Sequence, residues 1–251
     1  MDTGLKGKVA LVTGGGRDVG GEIARTLASE GVKVAVNYMS SEKEAASLVD
    51  EIKAAGGEAK ACKADISDYG QVTAMIDAVV DEWGSIDILV NNAGYVKYQR
   101  FVESTPDDWQ PQINVCLYGA LNCSHAVTSH MIEQKSGRII NIVGDSSRIG
   151  EANISLAATA RGGTIALGKS IAKELGRYNI TVNTLALGMV ESSHQDPAFL
   201  EKNLDRIIKA YPLRRIGKPD DIAPMVTFLS SAGASWITGQ VISVNGGFCM
   251  V

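Results

Sequence analysis

The run Thr13-Gly14-Gly15-Gly16-Arg17-Asp18-Val19-Gly20 is the part of this chain best suited to holding a charged ligand. It follows a short β-branched stretch and precedes a helical one. In that context the amides at the helix start can face a pyrophosphate, and glycine is needed wherever a Cβ would block the approach. A glycine-rich turn alone is weak evidence. It gains weight from Asp65 after the third strand-like run, from Asn91-Asn92-Ala93-Gly94 after the fourth, and from Asn245-Gly246-Gly247 near the C-terminus. Gly14, Arg17, Val19, Gly20, Asn37, Asp65, Asn91, Ala93 and Gly94 are therefore candidate contacts for a dinucleotide. The second strand ends in Asn37, where an acid would grip a ribose 2′-hydroxyl, whereas Arg17 can meet a 2′-phosphate. On these residues NADP is favoured over NAD.

The elements that must position these residues are legible as an alternation. Apolar, β-branched runs occur at Val9 to Thr13, Val32 to Val36, Ala59 to Cys62, Ile86 to Val90, Arg138 to Val143, Ile180 to Leu185 and Val241 to Val244. Between them, Gly21 to Ser29, Ser41 to Ala54, Tyr69 to Glu82, Asp107 to Met131, Ala157 to Gly176 and Pro219 to Ser230 carry helical periodicity. Thr105-Pro106-Asp107 has the form of a helix start. This pattern predicts an α/β fold, a Rossmann-like doubly wound parallel sheet of about seven strands with helices on both faces. Leu187 to Gly217 reads as an irregular stretch long enough to be a lid, and it carries Tyr211, Arg214 and Arg215.

Composition narrows the classes. With 251 residues, of which 45% are hydrophobic, the chain can bury one substantial core, so residues 1–251 are expected to form a single domain. A net charge of -4, with 24 basic and 28 acidic side chains dispersed along the chain, provides no basic stripe for nucleic acid. Charges interrupt every apolar segment, so no membrane span is expected. Cys62, Cys116, Cys123 and Cys249 lie far apart, with no metal-ligand spacing. They read as small buried hydrophobes, and with no leader pattern at the N-terminus they favour a reducing, cytoplasmic setting.

The glycine-rich turn, the Asn-Asn-Ala-Gly run and the Asn-Gly-Gly segment, at these spacings, resemble the short-chain dehydrogenase/reductase family from Gly7 to the end of the chain. Gly137 to Asn183 aligns without a gap on the 3-oxoacyl-carrier-protein reductase branch. The resemblance implies hydride exchange between nicotinamide and a carbonyl or alcohol. A tyrosine would move the proton, a lysine one helical turn on would lower its pKa and hold the ribose, a serine would orient the carbonyl, and an asparagine would hold a water chain. Here the asparagine is Asn114, but Gly144, Ala157 and Arg161 stand at the serine, tyrosine and lysine positions. None of the seven tyrosines has a lysine four residues on. Arg161 can still hold a ribose, but Ala157 offers no proton.

Other family positions also differ. The middle glycine of Thr-Gly-x-x-x-Gly-x-Gly is Asp18, the usual Pro-Gly after the sixth strand is Leu187-Gly188, and a threonine that contacts the carboxamide falls at Ser192. Asp18 admits two readings: a built-in anion that competes with the dinucleotide at the helix start, or an outward-pointing cap. Asp145, Ser146, Ser147, Tyr95 and Tyr98 border the family's site, and Ser146 is the best substitute for the lost groups. His125 and His130 are five residues apart, off one helix face, and read as surface or interface residues; His194 lies in the lid and remains a possible acid.

The leading expectation is a catalytically silent subunit, paired in a heterodimer or heterotetramer with an active paralogue. The pattern of losses is similar to that of the non-catalytic chain in two-component 2-(hydroxybenzyl)succinyl-CoA dehydrogenases of anaerobic toluene degradation. That resemblance implies oxidation of a hydroxyacyl-CoA with NAD bound by the partner. Two alternatives stand beside it: a reductase with a substrate-assisted or rebuilt proton transfer, and a non-catalytic binder of a dinucleotide or acyl thioester.

Overall fold

The structure, a computed structural model, describes residues 3–251. Seven strands form one parallel sheet: β1 (Val9–Val12), β2 (Lys33–Tyr38), β3 (Ala59–Lys63), β4 (Ile88–Asn91), β5 (Gly137–Gly144), β6 (Ile180–Leu187) and β7 (Val241–Val244), in the order β3-β2-β1-β4-β5-β6-β7. The helices are α1 (Asp18–Ser29), α2 (Glu42–Ala54), α3 (Tyr69–Trp83), α4 (Pro106–Ile113), α5 (Gly119–Gln134), α6 (Ser146–Ile149), α7 (Ser155–Leu175), α8 (Pro197–Ile208) and α9 (Pro219–Ser230).

The central strands are apolar on both faces because both faces are covered. Val12, Val36, Val90 and Ile140 point into one core with Ile23, Leu48 and Val226. Leu11, Ala35, Leu89 and Ile139 point into the other with Ile76, Val127 and Met131. Burial of each large aliphatic side chain contributes about 1.5 to 3 kcal/mol. Local signals set the helix ends. The Asp68 carboxylate accepts the Gln71 N–H at 3.1 Å to start α3, and Gly84, at φ 80°, ends it in the left-handed conformation. The Asp108 carboxylate accepts the Thr105 N–H at 3.0 Å where α4 begins.

Two expected elements differ. The single helix anticipated over Asp107 to Met131 is α4 and α5 joined by a π-helical turn, Asn114–Tyr118, a local irregularity to which apolar periodicity is insensitive. Residues 187–217 are not an irregular lid. Leu187 completes β6, and Pro197–Ile208 is a helix begun by Asp196, whose carboxylate accepts the Ala198 N–H at 3.0 Å. None of its side chains is fully buried, but Leu200, Leu204, Ile207 and Ile208 recur at helical spacing and are half-buried, so its pattern was present in the sequence.

The chain leaves β1 towards β2 and β3, then crosses back to β4 on the other side. The crevice at the carboxyl ends of β1 and β4 is the topological switch point, where open α/β sheets take ligands. Thr13 joins the two strand ends. It is fully buried; its Oγ1 donates to the Val90 carbonyl at 3.2 Å and accepts the N–H groups of Asn92 and Ala93 at 3.0 and 3.1 Å. Thr13→Val keeps the shape but strands both amides, so urea unfolding should show a loss of about 2 to 4 kcal/mol. A loss under about 0.5 kcal/mol would show that Thr13 does not tie the strands together.

Candidate functional site

Where β1 ends, the glycine-rich turn lies directly on the loop after β4. A Cβ on Gly20 would fall 2.2 Å from the Gly14 carbonyl oxygen and 2.4 Å from Asn92 Nδ2, so no other residue fits. Asn92 Nδ2 donates to the carbonyls of Thr13 and Gly14 at 3.0 and 3.1 Å. The structure thus brings Gly14, Gly20, Ala93 and Gly94 together as anticipated. Val19 is half-buried against the core under the turn.

The residues expected to read the adenosine half are largely committed within the chain. Asn37 is 2% exposed; it accepts the Gly14 N–H at 3.3 Å and donates to the Cys62 and Ala64 carbonyls at 3.2 and 3.1 Å. Its amide seals β2 to β3 and is not free for a ribose, which corrects its place among the cofactor contacts. Asn91 is buried and donates to Ser124 and Asn141, so it too is a sheet residue. Arg17 lies 3.9 Å from Glu44, a carboxylate the sequence reading had not weighed and one that opposes a 2′-phosphate there. Asp65 turns its carboxylate onto Ser67, accepting the N–H at 2.9 Å and the hydroxyl at 2.7 Å.

Asp18 stands at the helix start, as the first reading has it, but its carboxylate is engaged within the chain and does not turn outward as a cap. It is the first residue of α1 and holds φ 50°, the left-handed conformation a glycine adopts freely and an aspartate at roughly 1 kcal/mol. Its carboxylate accepts the Ser193 N–H at 2.8 Å and the Ser193 hydroxyl at 2.9 Å. The glycine-rich turn is therefore latched to the segment after β6, across the mouth of the crevice. Ser193 lies 175 positions away, and no local sequence signal pairs the two.

At the catalytic end, Ala157 and Arg161 stand one turn apart on α7. Ala157 is 1% exposed. Asn114 begins the π-helical turn and accepts a hydrogen bond from Gln110 Nε2 at 2.6 Å. A Cβ on Gly144 would lie 3.0 Å from Ser146 Oγ, so the Ser146 hydroxyl stands at the edge of the space a side chain at 144 would use. Asp145 is not available as an acid, since its buried carboxylate accepts from Ser243 Oγ at 2.9 Å and Asn245 Nδ2 at 2.6 Å. The Ser147 hydroxyl is buried with no partner, and Tyr95 and Tyr98 stand exposed at the rim.

The region over the crevice is held rather than loose. Tyr211 is 5% exposed, accepts the Met189 N–H at 2.8 Å and stacks on Phe248. It lies beside Gly188 and supports the wall, which excludes it as an exposed substrate contact. Arg214 donates to the Lys209 carbonyl, and Arg215 is paired with Asp221 at 2.5 and 2.7 Å. His194 is exposed. His125 meets the Tyr69 hydroxyl at 2.8 Å and His130 lies 3.7 Å from Asp77, both at the α3–α5 surface. Burial pushes the Cys62 thiol up to about 11 and Cys123 up to about 12, leaving both unreactive near neutral pH. Among the described residues, no group of three or more His, Cys, Asp or Glu side chains is placed to hold a metal ion, and no helix is long and apolar enough to cross a membrane.

Comparison with known proteins now bears on this geometry. The enoyl-(acyl carrier protein) reductase family model matches residues 15–249. The 3-oxoacyl-[acyl-carrier-protein] reductase FabG of Staphylococcus aureus is 42% identical over 246 residues, 97% of this chain and 98% of that protein. The chain belongs to the short-chain dehydrogenase/reductase family. Within the family it is also 36% identical to the (2S)-[(R)-hydroxy(phenyl)methyl]succinyl-CoA dehydrogenase subunit BbsD of Thauera aromatica, over 97% of each chain. A crystal structure described as a short-chain alcohol dehydrogenase of Sinorhizobium meliloti superposes with a TM-score of 0.92 at 30% identity, over 97% of this chain and 96% of that one.

Two expectations follow for the segments over the crevice. Asp18→Ala should free the Ser193 amide, read as hydrogen exchange at least about tenfold faster around residue 193 with β1 and β6 unchanged. Unchanged exchange there would mean the latch does not hold the segment. Arg215 hydrogen bonds hold the Asp221 carboxyl down to about 2 from its usual 3.8, helped by the Lys218 N–H. The pair's contribution is therefore complete above about 3.8 and lost as pH falls through about 2. Because the pair lies at the surface, solvent screening keeps that contribution small. Urea titrations over that range should show a shallower acid dependence in Arg215→Met than in the wild type.

Proposed function

We propose that this chain is a catalytically silent subunit of a hetero-oligomeric short-chain dehydrogenase, supporting an active paralogue that oxidises a hydroxyacyl-CoA with a nicotinamide cofactor. The observation that carries this reading is Ala157. A buried methyl group stands where the family resemblance places the proton-transferring tyrosine, and the absence of a general acid lowers rate by about 10² to 10⁴.

The phosphate end supports the same reading. Asp18 places a negative charge, already bonded to Ser193, at the helix start where a pyrophosphate would bind. Asn37 is occupied and Glu44 faces Arg17. These residues do not fit NAD or NADP, and on this reading the cofactor is held by the partner. Trp109, Tyr118 and Leu121 on α4–α5, with Met250 and Val251 at the C-terminus, expose apolar surface suited to a second subunit. The Thauera relative bears the name of a dehydrogenase subunit, and its substrate name supplies the specific candidate, a 2-(hydroxybenzyl)succinyl-CoA.

One observation favours a second reading, a reductase with a rebuilt proton transfer: the Ser146 hydroxyl lies beside the space of the lost serine. Calorimetric titration separates the two. The lone chain should give no heat with NAD or NADP, whereas a mixture with an active paralogue from the same source should bind cofactor and turn over hydroxyacyl-CoA. Cofactor binding and turnover by the lone chain would establish the rebuilt enzyme instead. Combining Gly144→Ser, Ala157→Tyr, Arg161→Lys and Asp18→Gly should produce cofactor binding in the lone chain. Continued silence would place the block elsewhere in the crevice.

A further inference from the structure

Arg161 has a second feature, independent of whether the chain is a silent subunit. Its guanidinium lies across Gly94, where a Cβ would stand 2.3 Å from Nη2. Five N–H donors are thus laid over the backbone at the end of β4. Among the described residues Arg161 makes no hydrogen bond or ion pair within the chain. The other half-buried arginines all do: Arg17 faces Glu44, Arg25 is paired with Glu22 and Glu51, Arg138 donates to the Gly137 and Asn179 carbonyls, and Arg148 is held by Asp145, Ser243 and Val251. None of the Arg161 nitrogens is among the fully buried atoms that lack a partner, so the guanidinium is open to an anion arriving from solvent.

The surroundings define what can pair with it. Tyr98 stands close enough for the Arg161 charge to act on its phenol, whose pKa is raised first by the crowding of neighbouring protein atoms and by Glu151, with Arg161 pulling the other way. Glu151, on the loop before α7, forms no bridge to Arg161, and burial holds its carboxyl above the ordinary value. On the N-terminal side of Arg161 the same helix face carries only the small side chains of Ala157 and Ala158. This place lies past β4, whereas the phosphate-type site is at the end of β1 under the Asp18 latch. The anion that fits Arg161 is therefore not a dinucleotide pyrophosphate. A planar guanidinium fork over a shallow floor matches a carboxylate held by two parallel hydrogen bonds.

We propose that Arg161, seated on Gly94, is the anchor of a binding site for the free carboxylate of a small organic acid or of its acyl thioester. The test uses the purified chain, titrated with succinate and, in parallel, with inorganic phosphate, by calorimetry and by shift of the thermal midpoint. Succinate should bind saturably and more tightly than phosphate. Arg161→Ala should weaken it at least about tenfold, the loss of one charge-assisted pair, and Arg161→Lys should fall between the two. Gly94→Ala, which leaves the charge in place but pushes the guanidinium off its seat, should weaken it as well. Equal succinate binding by wild type and Arg161→Ala, both folded by circular dichroism, would overturn the proposal. So would no saturable binding by the wild type, or preference for phosphate.

Discussion

The crevice of this protein rests on one close approach of backbone to backbone. Gly20, at the start of α1, sits against the Gly14 carbonyl and the Asn92 amide, and Thr13 beneath them takes the N–H groups of the loop after β4. Two loops from opposite sides of the sheet's switch point are thereby made into a single floor. A methyl group at 20 or the loss of the hydroxyl at 13 would separate them, and every later element of the site is positioned from that floor. α7 brings Arg161 onto Gly94, β5 brings Ser146 beside Gly144, and the segment after β6 closes over Asp18.

What this floor carries differs from what its construction was suited to. The turn has the glycines that let a phosphate approach, yet the position that approach depends on holds a carboxylate whose oxygens are both in use. The strand end that would read a ribose is spent on bonding β2 to β3. In the proposed silent subunit the fold is kept while the polar groups around the crevice bond to one another.

Much of this was legible beforehand because the signals were local and periodic. The seven strands and the helices on both faces follow from spacing along the chain, the resemblance to the family singled out Gly144, Ala157 and Arg161, and the structure places the strands to within a few residues. The unreadable parts depend on partners distant in sequence or on features without a periodic trace. The Asp18–Ser193 pair, Asn37 bridging two strands, Glu44 facing Arg17 and the unpartnered Arg161 are of the first kind. The π-helical turn at Asn114 is of the second, whereas α8 was legible from Asp196-Pro197 as a start signal and from Leu200, Leu204, Ile207 and Ile208 at helical spacing.

The length of chain enclosed by the latch has a consequence for how the protein is born. Asp18 leaves the ribosome 175 residues ahead of Ser193, an interval of about 10 to 35 s at ordinary synthesis rates. Throughout that interval the nascent chain presents a glycine-rich turn with its carboxylate unengaged. The closed crevice is thus a late product of synthesis, completed only when the final third of the polypeptide arrives to claim the group that the first helix has been holding out.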